Sequence, residues 1–231
     1  MYGVTRLKIS RYIIMAVYQL EEDKIYFPKP ELADDDGLLA VGGDLSVDRL
    51  LLAYSIGIFP WYNADQPIMW WCPHERFIIK PTDIHVSHSL KKFMRKHKVN
   101  IMYDRDFADT MHRCRMKREF KEGTWIHDDM EKAYNILHDK GFAMSVESFV
   151  DDELAGGLYG VIIGRCFFGE SMFSDKENGS KLALVGLASL LAKNDFQFID
   201  CQFHTDHLES MGGVRISYSE FMDMVEEGMK Q

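Results

Sequence analysis

Two carboxylates stand in stretches that otherwise read as buried strands. In FIDCQF (198–203) Asp200 interrupts a hydrophobic run, with Gln202 two residues on; in FFGESMFS (167–174) Glu170 and Ser171 follow a glycine between apolar neighbours. Alternation along 196–203 puts Phe196, Phe198, Asp200 and Gln202 on one side of a strand. A buried carboxylate without partners is costly, so Asp200 needs either a structural partner, such as a loop it caps, or a ligand. The Gly-Glu-Ser sequence predicts a bulge or a close backbone approach. If the two strands are neighbours, both acids open onto one cleft. A carboxylate beside an amide can orient an N–H donor and take its proton, and a second carboxylate can hold a cation.

The stretch after Gln202, HTDH, brings metal-binding side chains. Cys201, His204 and His207 are spaced by three, with Asp206 between, and zinc takes such donors in threes or fours. A strand running into a loop does not force them to converge, so this reads as a solvated loop and no metal is expected. SDKENGSKLAL (174–184) precedes a helix whose first N–H groups would suit an anion. A CoA enzyme carries a glycine-rich loop at such a place, whereas here Gly179 stands alone. No cofactor is therefore expected, although a CoA-dependent N-acetyltransferase stays as one alternative and a non-catalytic RNA-binding module as another.

Cations are segregated. SHSLKKFMRKHK (87–98) carries Lys91, Lys92, Arg95, Lys96 and Lys98, and FADTMHRCRMKR (107–118) adds Arg113, Arg115, Lys117 and Arg118, in a chain of formal net charge −9. A charge run is ordinarily a solvated face; gathered this way in an acidic chain it favours contact with a phosphate backbone. Of the four tryptophans, Trp70 and Trp71 read as core. Trp61 and Trp125, in the loop-like contexts FPWYN and EGTWIHDD, are surfaces on which an unpaired base would stack.

The elements that must hold these groups read as α+β. Residues 21–43 are rich in Pro, Asp and Gly and read as loop; Ser46 caps a helix that ends at Gly57. A boundary near residue 75 separates a small N-terminal α/β domain (1–75, with 1–14 as a poorly ordered extension) from a larger one (76–231). The larger part runs through three helices, an antiparallel three-strand meander over 142–174, an apolar buried helix, the Asp200 strand and a closing helix. This order of a mainly antiparallel sheet with one late β–α–β crossover suits an acetyltransferase-like (GNAT-like) domain. Four separated cysteines with no CxxC pair read as free thiols in a reducing, cytoplasmic setting, and no apolar run reaches the length of a membrane span.

Together, GLLAVGGDLSVDRLLLAYSIGIFPWY, PIMWWCPHER, EGTWI, GGLYGVIIGRCFFGESMFS, ENGSK and IDCQ resemble the bacterial leucyl/phenylalanyl-tRNA–protein transferases, in order and spacing, over roughly residues 27 to 223. The resemblance implies an enzyme, and a monomer is expected. It would move leucine or phenylalanine, methionine less well, from aminoacyl-tRNA to the N-terminal Arg or Lys of an acceptor protein, marking that protein for degradation. It implies Asp200 and Gln202 as the catalytic pair and Glu170 as a further site acid; on chemical grounds Asp200 would orient the amine and take its proton, directly or through water, and Glu170 would hold a cation. Leu158, Met172, Leu187 and Ile199 would form the aminoacyl pocket. Trp61 and Trp125 would meet the terminal adenosine, and Lys91, Lys92 and Arg95 the tRNA. Two points depart from the family pattern: Leu158 and Leu187 replace an expected Met and Phe, and alternation sets Ile199 on the face opposite Asp200.

Overall fold

Residues 4–6, 16–119 and 126–230 are described by a computed structural model. The first of its two sheets contains β1 (Val4–Arg6), β2 (Ala16–Leu20), β3 (Leu38–Gly42), β4 (Phe59–Pro60) and β5 (Met69–Trp71), in the order β1-β2-β3-β5-β4, with β2 and β3 parallel. β1 is an edge strand; residues 1–3 and 7–14 of the expected extension lie outside the described residues. Helix α1 (Val47–Ser55) starts where the Ser46 hydroxyl accepts from the Arg49 amide, as the capping pattern predicts, and it buries Leu50, Ala53 and Tyr54.

The second sheet holds β6 (Glu75–Ile79) and, after α2 (His88–Lys96), the edge strand β7 (Val99–Tyr103). Helices α3 (Phe107–Glu119) and α4 (Asp128–Asp139) lead into the meander β8 (Ala143–Val150), β9 (Glu153–Ile163) and β10 (Cys166–Ser174). Helix α5 (Gly179–Lys193) then crosses to β11 (Phe198–Asp200), followed by α6 (Asp206–Ser210), β12 (Val214–Ser217) and α7 (Tyr218–Met229). Strand order is β12-β6-β11-β10-β9-β8-β7. Every neighbouring pair is antiparallel except β10 and β11, which α5 joins. This is the α+β sheet with a single late crossover that the element order predicts. β7, α6 and β12 are additions: their residues read as loop because they are too short or too exposed to show a clear period.

Alternation sorts the large sheet into two cores. Ile78, Phe168 and Phe198 pack with residues of α1, α3, α4 and α7 on one face. Ile79, Phe167 and Ile199 pack against α5 on the other. The parallel pair β10–β11 ends at the Phe168–Asp200 register, while β10 runs on to Ser174. The opening left beside β10 is where the site forms.

Candidate active site

A cavity of about 410 Å³ occupies that opening. Its aliphatic wall is Leu158, Met172, Leu184, Leu187 and Ile199, and its polar end is Glu170, Asp200 and Gln202. Phe59, Trp61 and Phe203 add an aromatic side to the lining. The four residues expected to form an apolar pocket and the two strand acids thus share one space. Ile199 and Asp200 do point to opposite faces, as alternation demands. The cavity reaches both because the sheet parts where β11 stops.

Asp200 is fully buried, and its carboxylate is occupied. Arg76 Nε donates to Oδ1 at 2.9 Å and Nη2 to Oδ2 at 2.8 Å, a two-pronged bond between side chains with no exposure. The Gln202 amide donates to Oδ1 at 2.9 Å, and Gln202 Nε2 lies 3.4 Å from Oδ2. Arg76 itself gives Nη1 to the Gly57 carbonyl and lies between the rings of Phe59 and Phe221, 4.7 and 4.6 Å from their centroids. This arrangement matches charge and donors inside a low-dielectric core, the condition under which a buried ion pair is tolerated. Both carboxylate oxygens of Asp200 thus already accept from protein donors.

Gln202 reaches Asp200 by a turn and not by the pleat. Its φ is +57°, and the Phe203 amide donates to the Cys201 carbonyl at 2.7 Å, closing a tight three-residue turn. A positive φ at a non-glycine residue stores strain that the surroundings must hold. Here the Gln202 carbonyl accepts from the Phe77 amide at 3.2 Å. The expected same-face pair is therefore replaced by a backbone reversal that folds Gln202 over Asp200.

Glu170 is the extra residue of a bulge: Gly169 pairs with Gly160 and Ser171 with Tyr159, leaving Glu170 between them. The bulge turns its carboxylate toward two tyrosines from elsewhere in the chain. Tyr54 OH donates at 2.6 Å and Tyr134 OH at 3.3 Å, and the two hydroxyls also contact one another. Burial pushes the Glu170 carboxyl up to about 7; the Tyr54 hydrogen bond opposes that rise, the Asp200 charge adds to it, and Tyr134 and Arg76 oppose it. A carboxyl titrating near neutrality in an apolar cavity is poised to bind a cation or pass a proton.

Residues 78–226 match the leucyl/phenylalanyl-tRNA protein transferase family, and residues 43–74 match that family's N-terminal domain. A protein named leucyl/phenylalanyl-tRNA–protein transferase from Desulfatibacillum aliphaticivorans is 51% identical over 217 residues, covering 94% of this chain and 93% of its own. One of the same name from Azotobacter vinelandii is 48% identical over 206 residues, covering 88% and 91%. The chain belongs to the leucyl/phenylalanyl-tRNA protein transferase family. Membership makes it an aminoacyltransferase. Similar solved structures include L-PGS from Bacillus licheniformis (TM-score 0.44, 9% identity, 84% of this chain and 73% of that one). An aminoglycoside acetyltransferase from a soil metagenomic sample is also similar (TM-score 0.34, 11% identity, 58% and 88%).

In this transferase chain the aromatic rim of the cavity is larger than the sequence indicated. Trp61 is 41% exposed and packs 5.6 Å from Trp71 and 5.5 Å from Phe203, ring centre to ring centre. Trp71 Nε1 donates to the Trp61 carbonyl at 2.6 Å. Trp70 is fully buried core, as expected, whereas Trp71 is only partly so. Trp125 lies outside the described residues.

The two basic helices prove unequal. On α3, Arg113 bonds Asp109 and Asp175, Arg115 bonds Asp128 and Glu131, and Lys117 bonds Asp175. On α2, Lys91, Lys92, Arg95 and Lys96 are exposed and make no ion pair among the described residues. Leu90 of α2 packs in one cluster with Leu182 of α5, so these free cations ride on the helix whose next turns wall the cavity.

The HTDH stretch is a loop at His204 and Thr205 and turns helical from Asp206. Thr205 caps α6, and His204 Nε2 meets Glu209 at 3.0 Å. Donor atoms of His204, Asp206 and Glu209 lie within 4.8 Å of one another, whereas Cys201 turns its thiol to the Ile199 carbonyl. Gly179, at the start of α5, serves close contact. A Cβ there would stand 1.9 Å from the Ala155 carbonyl oxygen, so only glycine lets the helix start touch β9. No described helix is long and apolar enough to cross a membrane.

Arg76, Tyr54 and Tyr134 were missed by sequence reasoning. Arg76 gave one signal, a cation on the same strand face as the apolar Ile78.

Proposed function

We propose that this protein transfers leucine or phenylalanine from aminoacyl-tRNA to the N-terminal Arg or Lys of an acceptor protein. The observation that carries this reading is the single cavity that joins an aliphatic wall to Glu170, Gln202 and an aromatic rim. The aminoacyl side chain fills the space between Leu158, Met172, Leu187 and Ile199. Its α-amino group then lies one bond from the chain that enters the pocket, within reach of Glu170, which holds it. The terminal adenosine stacks on Trp61, and the acceptor stem lies along Lys91, Lys92 and Arg95.

The donor ester is already activated, and a peptide α-amine has a reference pKa of about 7.7–8.0, so no strong base is required. The amine nitrogen attacks the ester carbonyl carbon. A C–N bond forms, the C–O bond to the ribose breaks, and the amine's proton leaves to the departing oxygen. Gln202 orients the amine through its side-chain oxygen, because its nitrogen is turned to Asp200. Asp200, clamped by Arg76, is a positioning residue for Gln202 and not the base. Correct placement alone supplies on the order of 7–11 kcal/mol in well-oriented reactions.

We also propose that residues 1–75 and 76–231 form two domains, with β6 as the first strand of the second. Four cysteines, none of them in a disulfide, support action in a reducing cytoplasm. The test is direct: supply labelled Leu-tRNA and a peptide beginning with Arg. Label in the peptide is the expected result. Label that appears only when acetyl-CoA is the donor, or equal binding of charged and uncharged tRNA without transfer, would sink the proposal.

A further inference from the structure

A second cavity, about 240 Å³, opens on the other side of the Gln202–Phe203 wall. Gln202 and Phe203 line both hollows. The chemistry of the two differs. The first has an aliphatic wall; the second draws Asp35 and Asp36 from the loop before β3 and Glu75 from the start of β6. Asp35 and Asp36 are exposed and have no hydrogen-bond or ion-pair partner among the described residues. Glu75 stands 3.6 Å from Arg215, with both side chains largely exposed. Arg76 also borders this cavity, but its charge is matched by Asp200. The cavity thus sets Asp35, Asp36 and Glu75 against the exposed Arg215 guanidinium, with His74 and His204 also in the lining.

Two substrates must meet at Gln202. The acceptor's α-amine has to approach it, and the acceptor's own side chain leaves from the carbon that bears that amine. With the first cavity filled by the aminoacyl side chain, the adjoining space across the shared wall is the acidic one. We propose that this cavity receives the cationic side chain of the acceptor's N-terminal residue, and that Asp35, Asp36 and Glu75 set its charge preference. The assignment rests on the transferase reading above. Carboxylates attract the guanidinium or ammonium and repel an acidic N-terminus, so they act by attraction and by exclusion. Phe203, 38% exposed, offers its ring to the aliphatic stem or the planar guanidinium.

The test uses the whole protein, Leu-tRNA as donor, and two peptides identical except for an N-terminal arginine or its neutral isostere citrulline. The unaltered protein should favour arginine by about tenfold to a hundredfold in kcat/KM, the range that a charge-assisted hydrogen bond supplies. The triple variant D35N/D36N/E75Q should bring that ratio close to one while the KM for Leu-tRNA stays unchanged. A second variant, D35K/D36K, should accept a peptide beginning with Glu better than the unaltered protein does. A triple variant that keeps the full arginine preference overturns the assignment. If the unaltered protein transfers to neither peptide, the transferase reading falls first and this one with it.

Discussion

Arg76 grips Asp200 through two hydrogen bonds of 2.8 and 2.9 Å although 124 positions separate them, and neither side chain is exposed. Removing one partner strands the other's charge in the core, a cost of roughly 3–5 kcal/mol. Asp200→Ala and Arg76→Ala should each lower the urea midpoint strongly. Replacing both with leucine should recover much of that loss yet leave transfer abolished, because Gln202 has lost its anchor. Stability and transfer measured on the same samples separate the two effects; a double variant that transfers normally would show that Asp200 does not position Gln202.

Glu170 gives the reaction a pH dependence whose sign can be worked out. With its carboxyl pushed up to about 7, Glu170 is neutral below that pH and ionised above it. If it holds the donor's α-ammonium, the KM for aminoacyl-tRNA should rise as pH falls through 7. The Tyr54 hydrogen bond favours the ionised form, so Tyr54→Phe should carry the midpoint to higher pH. The acceptor amine's own titration is untouched by that change, and a midpoint that stays put would exclude Glu170. Because the folded pKa lies above the reference of 4.5, the native state binds more protons between about 4.5 and 7. Stability should therefore fall as pH rises across that window, and Glu170→Gln should flatten the fall.

The elements that place this site were legible because their signals are local. The Ser46 cap, the meander from 143 to 174 and the apolar run that becomes α5 each declare themselves within a contiguous stretch. The bulge at Glu170 was announced by Gly169. What escaped was pairing at a distance: Tyr54 lies 116 positions from Glu170, and nothing near either marks the other. The reversal at Gln202 escaped for another reason, since a φ of +57° carries no glycine or asparagine to announce it. Among the cations, spacing could not tell α2 from α3, because neutralisation of α3 depends on Asp128, Glu131 and Asp175.

That difference between the helices has a measurable consequence. Lys91→Glu with Lys92→Glu should weaken aminoacyl-tRNA binding and make its logarithm less steep in log salt, by about 0.7–0.9 for each phosphate that the variant no longer neutralises. Arg113→Gln with Lys117→Gln should leave the salt slope unchanged, since those side chains already face Asp109 and Asp175. Equal slopes for the two double variants would remove the case that α2 meets phosphate.

Leucine at 158 and 187 bears on which amino acid the pocket prefers. Both side chains are buried and line the cavity beside Met172 and Ile199. Leu187 lies on α5, fully buried in one cluster with Ala183 and Leu191, and lines the cavity, so a larger residue there takes up cavity space. Leu187→Phe should reduce kcat/KM for Phe-tRNA more than for Leu-tRNA, because the larger substrate ring loses its space first. A few carbons of pocket volume are worth about 1–3 kcal/mol, so the preference should move toward leucine by roughly tenfold to a hundredfold. Competition between the two charged tRNAs for one acceptor peptide reads the ratio directly. An unchanged ratio would mean that the aminoacyl side chain does not lie against Leu187, and the aliphatic wall would then need another occupant.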